Sequence, residues 1–570
     1  MGRILAVLGI LMVLLTGCSP GEDPVRPGLI QGIDAVFEDM NSPDSPGGTV
    51  AVIREGKMLY SKGYGSAQLE YGIPNTPNTV FHVASVSKQF TAMAVALLVA
   101  EGALSLDDPV QKHLDYVPDL GRPVTLRQLV HHTSGIRDQW ELLGVAGWRL
   151  DDVITTDHIV GLMSRQRELN FEPNSEFLYS NTGYTLLGET VNAVSGMSLR
   201  GFTEKRIFAP LGMTRTHFHD DHQHAVEGRA YSYEPAEGGG FQKSVLTYAN
   251  VGATSLFTTA VDLARWLDNF RHEGVGGPEV MAAMKTRGTL NNGETIEYAH
   301  GVSIRDYRGH TTIGHDGGDA GFRTFVVWFP EVNTGIVVLT NVSNGNATGR
   351  ALQVADVVLA DVLDAHEDDE TDVPVTVETN AEALKRIPGR FLLIGKQTPT
   401  GRGLYATIEE SEGDLQLHFP QTETFSLAAT GERSFHPVGL RLGDGRAILE
   451  FDADWDSVTV TGLDGTVVGS GTRLDDFDPS PSELVELEGT YYSPEVETLY
   501  RVEVAGAELA VQHVRHGKMS LTPLVPDEFT SDGWFVRFER NASGDVTGLR
   551  VSSERVRNLR FVRLTTPLPD

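Results

Sequence analysis

The chain has 570 residues, with 77 acidic and 46 basic side chains, a formal net charge of −31 and a single cysteine. So acidic a balance excludes a nucleic-acid surface, which needs a basic footprint, and one cysteine excludes a disulfide framework. The length exceeds a typical single domain, so more than one is expected.

At the N-terminus, Arg3 precedes an apolar stretch from Ile4 to Leu15. It is too short to span a bilayer as a mature helix, and residues 1–17 read as an export signal. The stretch ends in Leu15-Thr16-Gly17-Cys18, which resembles a bacterial lipobox. Cleavage before Cys18 would leave it as a first residue able to carry lipid; an ordinary secretory signal with an incidental cysteine is the alternative. Residues 18–27, with Pro20, Pro24 and Pro27, read as a tether. The expected location is the bacterial cell envelope, lipid-anchored and facing the periplasm or the exterior.

Residues 28–365 mix helix and strand. Leu29, Ile30, Ile33, Val36 and Phe37 fit an amphipathic opening helix. Thr49–Ile53 and Met58–Tyr60 form a predicted hairpin around Arg54-Glu55-Gly56-Lys57. Ser85-Val86-Ser87-Lys88 stands ahead of an apolar run from Ala92 to Ala100, the predicted central helix. Positions i and i+3 of a helix share a face, which sets the Lys88 amine beside the Ser85 hydroxyl. The helix N-terminus adds partial positive charge and free N–H groups where an oxyanion would form.

Tyr179-Ser180-Asn181 comes next. A phenol exchanges protons with a serine and a leaving group when a nearby cation lowers its pKa, and the Asn181 amide can hold Lys88 and a substrate carbonyl together. His315-Asp316-Gly317-Gly318 follows, with Arg323 just before a strand near Phe325. Gly317 and Gly318 at a strand edge let a substrate backbone approach closely. The N–H groups of Ser85 and Gly318 are the candidate oxyanion donors. Arg323 is a candidate for a substrate carboxylate, with a structural ion-pair partner as the alternative. Phe325–Phe329, Thr334–Leu339 and a helix over 349–363 close the domain. Taken singly, Lys88 is an ordinary helix residue, Tyr179 a core aromatic and His315 a turn residue; their order carries the argument.

His217, His219, Asp221 and His222 spell H-x-H-x-D-H, a zinc signature. It follows an apparent helix end and turn rather than a buried strand, and no convincing later ligand set appears, so no catalytic metal is expected. Ser66, in Gly63-Tyr64-Gly65-Ser66-Ala67, lacks the last glycine of a nucleophile elbow. No phosphate-binding or dinucleotide fingerprint appears, so no cofactor is expected.

An acidic run from Asp364 to Asp372 marks a linker, assigned to residues 366–380. Beyond it, 381–476 and 484–570 alternate like short strands, with a break near Pro479 and Pro481. Three weak repeats link them: Pro388–Phe391 with Glu488–Tyr491, Ala447–Phe451 with Phe535–Phe538, and Leu440–Gly445 with Asn541–Gly544. Two antiparallel β-barrels are expected; one eight-stranded piece split over both segments is the alternative.

S-x-x-K at Ser85, Y-x-N at Tyr179 and H-x-G at His315, in that order, resemble the class C β-lactamase superfamily of serine hydrolases over about residues 28–365. That group includes DD-peptidases, D-aminopeptidases and esterases. Leu129–Ile136 and Gly252–Trp266 are similar to further recurrent segments of it. The resemblance implies an α+β domain: an antiparallel sheet flanked by helices, with a helical insert between Ser85 and Asn181. It implies Ser85 as nucleophile, Lys88 and Tyr179 as the proton-handling pair with Tyr179 biased toward phenolate, and Asn181 as a clamp. The catalytic domain plus two barrels is similar to D-aminopeptidases, where the barrels restrict the cleft. His315 stands where class C β-lactamases carry a lysine; a neutral histidine grips an anionic group less firmly, which favours a peptidase, amidase or esterase. The implied function is an exported hydrolase cleaving amide or peptide bonds of D-amino-acid or cell-wall type through an acyl-enzyme. The alternatives are a broad esterase, a weak β-lactamase or a non-catalytic ligand sensor. The implied partners are a small peptide, amide or ester substrate and the lipid of the anchor.

Overall fold

The structure, a computed structural model, describes residues 27–364 and 376–565 apart from 396–402, 412, 420–423, 443–444, 463–464, 507 and 532. The predicted export signal, Cys18 and nearly all of the tether lie outside the described residues, as does residues 366–375 of the linker.

The first domain is built on a six-stranded antiparallel sheet. Its strands run in the order Ser303–Tyr307, His310–Asp319, Phe322–Phe329, Thr334–Thr340, Gly48–Arg54 and Lys57–Tyr64. Side chains alternate faces along a strand. Val50, Val52, Ile336 and Val338 pack beneath the helices Pro27–Val36 and Ala347–Val358. Ala51, Ile53, Val337 and Leu339 face the other core, with the helix Ala260–His272. A sheet covered on both faces explains why Gly48–Arg54 reads as a nearly unbroken apolar run. Glu55 and Gly56, with φ of +50° and +75°, turn the first hairpin in the left-handed conformation that matches strand twist.

Lys88–Ala100 is the central helix, and Lys88 through Leu98 are buried on every side. It is entered through a tight 3₁₀ turn, Ala84–Ser87, that carries Ser85. The expected insert lies between Ser85 and Asn181, with helices at Leu126–Val130, Gln139–Val145 and Thr156–Ser164.

Two separate eight-stranded antiparallel barrels follow, which excludes a single split piece. The second closes over eight strands from Gly489–Ser493 to Leu559–Arg563. The first closes by pairing of Ser434–Pro437 with Gly445–Phe451, plus a two-residue extra strand at Arg441–Leu442. Phe391 and Tyr491 occupy equivalent buried positions in the opening strands. Arg473 and Arg563, in the closing strands, donate to the carbonyls of Pro388 and Glu488. The third predicted repeat does not hold: Leu440–Gly445 precedes the sixth barrel strand, whereas Asn541–Gly544 follows it. Both stretches carry glycine beside polar residues in sequence, and composition alone does not distinguish the two sides of a strand.

The first barrel has a core of its own. The second barrel's core is continuous with the first domain's. Arg137, with no side-chain exposure, reaches Glu495 at 2.8 Å, itself only 4% exposed. Arg137 also donates to the Arg557 carbonyl. Tyr500 donates to the Val145 carbonyl at 2.9 Å. An acidic linker suggests separable barrels, but this shared interior joins the second barrel to the first domain.

Candidate active site

Ser85 follows the short strand Phe81–His82 on a constrained turn. Ala84, just before it, holds φ at +47°, an uncommon conformation for a residue with a side chain. Ser87 fixes the turn by donating to the Ala84 carbonyl at 2.5 Å and accepting from the Leu256 N–H at 3.0 Å. The strand His310–Asp319 closes against it: a Cβ on Gly317 would stand 2.5 Å from both the Val83 carbonyl and Thr324 Oγ1. Gly317 is therefore required by packing beneath the turn. At Gly318 the nearest atom to such a Cβ is 3.5 Å away, so steric crowding does not explain that glycine.

In a 3₁₀ turn residues three apart eclipse, which stacks Lys88 directly on Ser85. Lys88 Nζ lies 3.1 Å from Ser85 Oγ, 2.8 Å from Asn181 Oδ1 and 2.8 Å from the Ala253 carbonyl. The last two partners only accept. As an amine, Lys88 gives them its two N–H bonds and turns its lone pair to the Ser85 hydroxyl. Burial lowers the Lys88 pKa to about 7, against the opposing pull of Asp319 and Asp138. Asp138 orients this arrangement from behind, accepting from the Asn181 N–H at 2.6 Å and from Asn181 Nδ2 at 2.8 Å. Asn181 Nδ2 keeps a second N–H for a substrate carbonyl.

Tyr179 packs on His132, with ring centroids 4.2 Å apart, and Lys88 Nζ lies 4.8 Å from its ring centre. Burial raises its pKa well above the usual value, and the nearby Ser85 and Arg555 offset this only in part. Its hydroxyl is buried without a hydrogen bond of good geometry. The expected bias toward phenolate is thus reversed: Lys88, itself near half-neutral, supplies little positive potential to overcome desolvation. Tyr179 rests as a phenol, a proton donor.

His315 takes a defined tautomer. Its Nδ1 donates to the Asp316 carbonyl at 2.5 Å, and its Nε2 accepts from the Tyr298 hydroxyl at 2.9 Å. Burial lowers its pKa to about 4, so the ring is neutral.

Ser85, Tyr179, Asn181, His315 and Gly318 line one cleft of about 420 Å³. Trp140, Thr254, Asp316, Asp319 and Arg555 complete its wall. Asp319 accepts from the Thr254 hydroxyl, and burial raises its pKa to about 6. Arg323 lies outside this wall. It lines adjoining cavities and donates to the carbonyls of its own hairpin, Ala320 at 2.9 Å and Phe322 at 2.7 Å. Sequence reasoning missed Asp138, two residues past the Leu129–Ile136 segment, and Arg555, which no motif flags.

His217 and His219 pack around Phe257, on the strand that pairs with the one leading to the Ser85 turn. Burial lowers both to about 4. Among the described residues no three His, Cys, Asp or Glu side chains form a group able to hold a metal.

The family described as Beta-lactamase matches residues 33–360, more than half of the chain. The chain belongs to the Beta-lactamase family. As such it is a serine hydrolase, and its fold is the one the motif order implied, with the two barrels added. A D-aminopeptidase of Brucella canis is 24% identical over 545 residues, covering 91% of this chain and 96% of the relative. Penicillin-binding protein 4* of Bacillus subtilis is 28% identical over 414 residues, covering 69% of this chain and 90% of the relative. Among solved structures, the octameric penicillin-binding protein homologue from Pyrococcus abyssi is 25% identical with a TM-score of 0.52, covering 78% of this chain and 99% of that one. This Beta-lactamase-family chain is thus similar to D-aminopeptidases along nearly its whole length, barrels included.

Proposed function

We propose that this chain is an exported, lipid-anchored hydrolase that cleaves amide or peptide bonds of D-amino-acid or cell-wall type through an acyl-enzyme on Ser85. The observation that carries the reading is Lys88, a buried amine with a pKa of about 7 whose third direction faces Ser85 Oγ at 3.1 Å. Likeness to a D-aminopeptidase over 91% of the chain supports the substrate class.

In this reading Ser85 Oγ bonds the substrate carbonyl carbon while its proton passes to Lys88. The oxyanion rests on the N–H groups of Ser85 and Gly318. The carbon–nitrogen bond then breaks. The leaving nitrogen takes the Tyr179 proton, and Lys88 returns one to Tyr179. Water repeats the sequence on the ester and releases the acid. His315 positions Tyr298 and the strand edge without carrying charge. Export and anchoring rest on the apolar segment ending at Cys18.

The test is intact-protein mass spectrometry with a fluorophosphonate probe. One adduct on the peptide holding Ser85 is expected, absent from Ser85→Ala; equal labelling of the variant refutes the assignment. Metabolic labelling with a fatty acid should tag the wild-type chain and not Cys18→Ser.

A further inference from the structure

We propose that Arg555, presented by the second barrel, receives an anionic group on the leaving portion of the substrate, the terminal carboxylate of a peptide being the simplest case. This rests on the reading that Ser85 is acylated.

Arg555 belongs to the hairpin loop between the last two barrel strands, Val546–Ser552 and Leu559–Arg563. The loop is pinned from the catalytic side. The Arg555 N–H donates to Glu141 at 2.7 Å, and its carbonyl accepts from the Asp138 N–H at 3.2 Å and from Asn170 Nδ2 at 2.8 Å. The Ser553 hydroxyl also donates to Glu141. With its main chain held, the side chain extends into the cleft of Ser85, its guanidinium carbon 5.5 Å from the Tyr179 ring centre. It is 31% exposed, open to a ligand.

Asp138, Glu554 and Glu141 hold Arg555 charged, and the two glutamates engage only one edge. Glu554 and Glu141 approach Nε at 3.5 and 3.9 Å. Among the described residues no acceptor takes Nη1 or Nη2, the pair that grips a carboxylate side by side. Two other carboxylates share the cleft but are placed otherwise. Asp319 accepts from Thr254, and the Asp316 side chain is 76% exposed. His315 is neutral, tied at both nitrogens. Among the described residues Arg555 is therefore the only permanently charged cation lining this cleft. The charge that a lysine at position 315 would supply comes instead from another domain. Tyr179 gives its proton to the leaving nitrogen, so the cation beside Tyr179 addresses the leaving portion.

The test compares kcat/KM of the full chain on matched pairs. One pair is N-acetyl-D-Ala-D-Ala and its terminal carboxamide. The other, N-acetyl-D-Glu-D-Ala-amide and its D-Gln counterpart, moves the anion to the acyl side. Wild type should prefer the free terminal carboxylate. Arg555→Ala should lower that preference about ten- to a hundredfold, as for a lost charged hydrogen bond, with Arg555→Lys in between. Taking the ratio within each variant cancels general effects on activity. No terminal preference in wild type, an unchanged ratio in Arg555→Ala, or a loss confined to the acyl-side pair overturns the proposal. So does a wild-type chain that labels at Ser85 yet turns over none of the four. Absence of Ser85 labelling overturns the underlying reading instead.

Discussion

If the Lys88 amine is the base for Ser85, acylation must follow its protonation. With a pKa of about 7, Lys88 is neutral in about one-tenth of molecules at pH 6 and about nine-tenths at pH 8. The second-order rate of Ser85 labelling by an uncharged fluorophosphonate should therefore rise about tenfold per pH unit below 6.5, flatten above 8, and differ about tenfold between pH 6 and pH 8. Lys88→Met, which keeps the length and apolar stem, should fall by about 10²–10⁴ and lose the acid limb. Glu141 also titrates near 7, raised first by burial and then by Asp138, so it is the rival owner of the limb. Glu141→Gln should leave the midpoint in place. The same perturbation has a stability signature. Burial pulls the folded value from the ordinary lysine value of 10.5 to about 7, so the unfolded chain holds the extra proton between about pH 7 and 10.5. Wild-type stability relative to Lys88→Met should therefore rise with pH across that window, by an amount on the order of 5 kcal/mol at most. Urea midpoints of the two chains at pH 7, 8.5 and 10 measure it. A labelling rate flat from pH 5 to 8, or an acid limb that survives in Lys88→Met, refutes Lys88 as the base.

Gly317→Ala should lower the melting temperature by the equivalent of about 1–3 kcal/mol and slow labelling, because its Cβ would meet the Val83 carbonyl at 2.5 Å; Gly318→Ala, with 3.5 Å of clearance, should leave the melting temperature within a degree or two. Arg137→Met leaves Glu495 buried without its cation, held only by the Arg167 N–H, and should cost about 3–5 kcal/mol by urea denaturation, more than the exposed pair Arg149–Asp151 would. A chain ending at Leu363 should fail to show a cooperative transition by circular dichroism, since it removes about a fifth of a shared core and strips the partners from buried Arg137; a cooperative fold with normal labelling would show that the interface is dispensable.

Much of the molecule is written locally. Ser85 and Lys88 lie three residues apart, so any helical turn brings them together, and the apolar run after them allows no exposed helix. The hairpin at Glu55-Gly56 and the all-β texture beyond the acidic linker are equally local, because strand alternation and turn residues need no distant partner. Three matters were decided only by tertiary structure. Protonation was one: Lys88 approaches neutrality and Tyr179 stays a phenol because of how deeply each is buried, which no motif records. Placement was another: Arg323 sits next to the strand-edge glycines in sequence yet turns its guanidinium back onto its own hairpin. The last was the wall of the cleft. Arg555 enters it because the Glu141 carboxylate, the Asp138 N–H and the Asn170 side-chain amide, all far away in sequence, hold its loop. Hydrogen bonds between distant segments leave no periodicity in either one, so the sequence by itself determines which residues meet around Ser85, and only the packed structure determines their protonation and the rest of the wall that surrounds them.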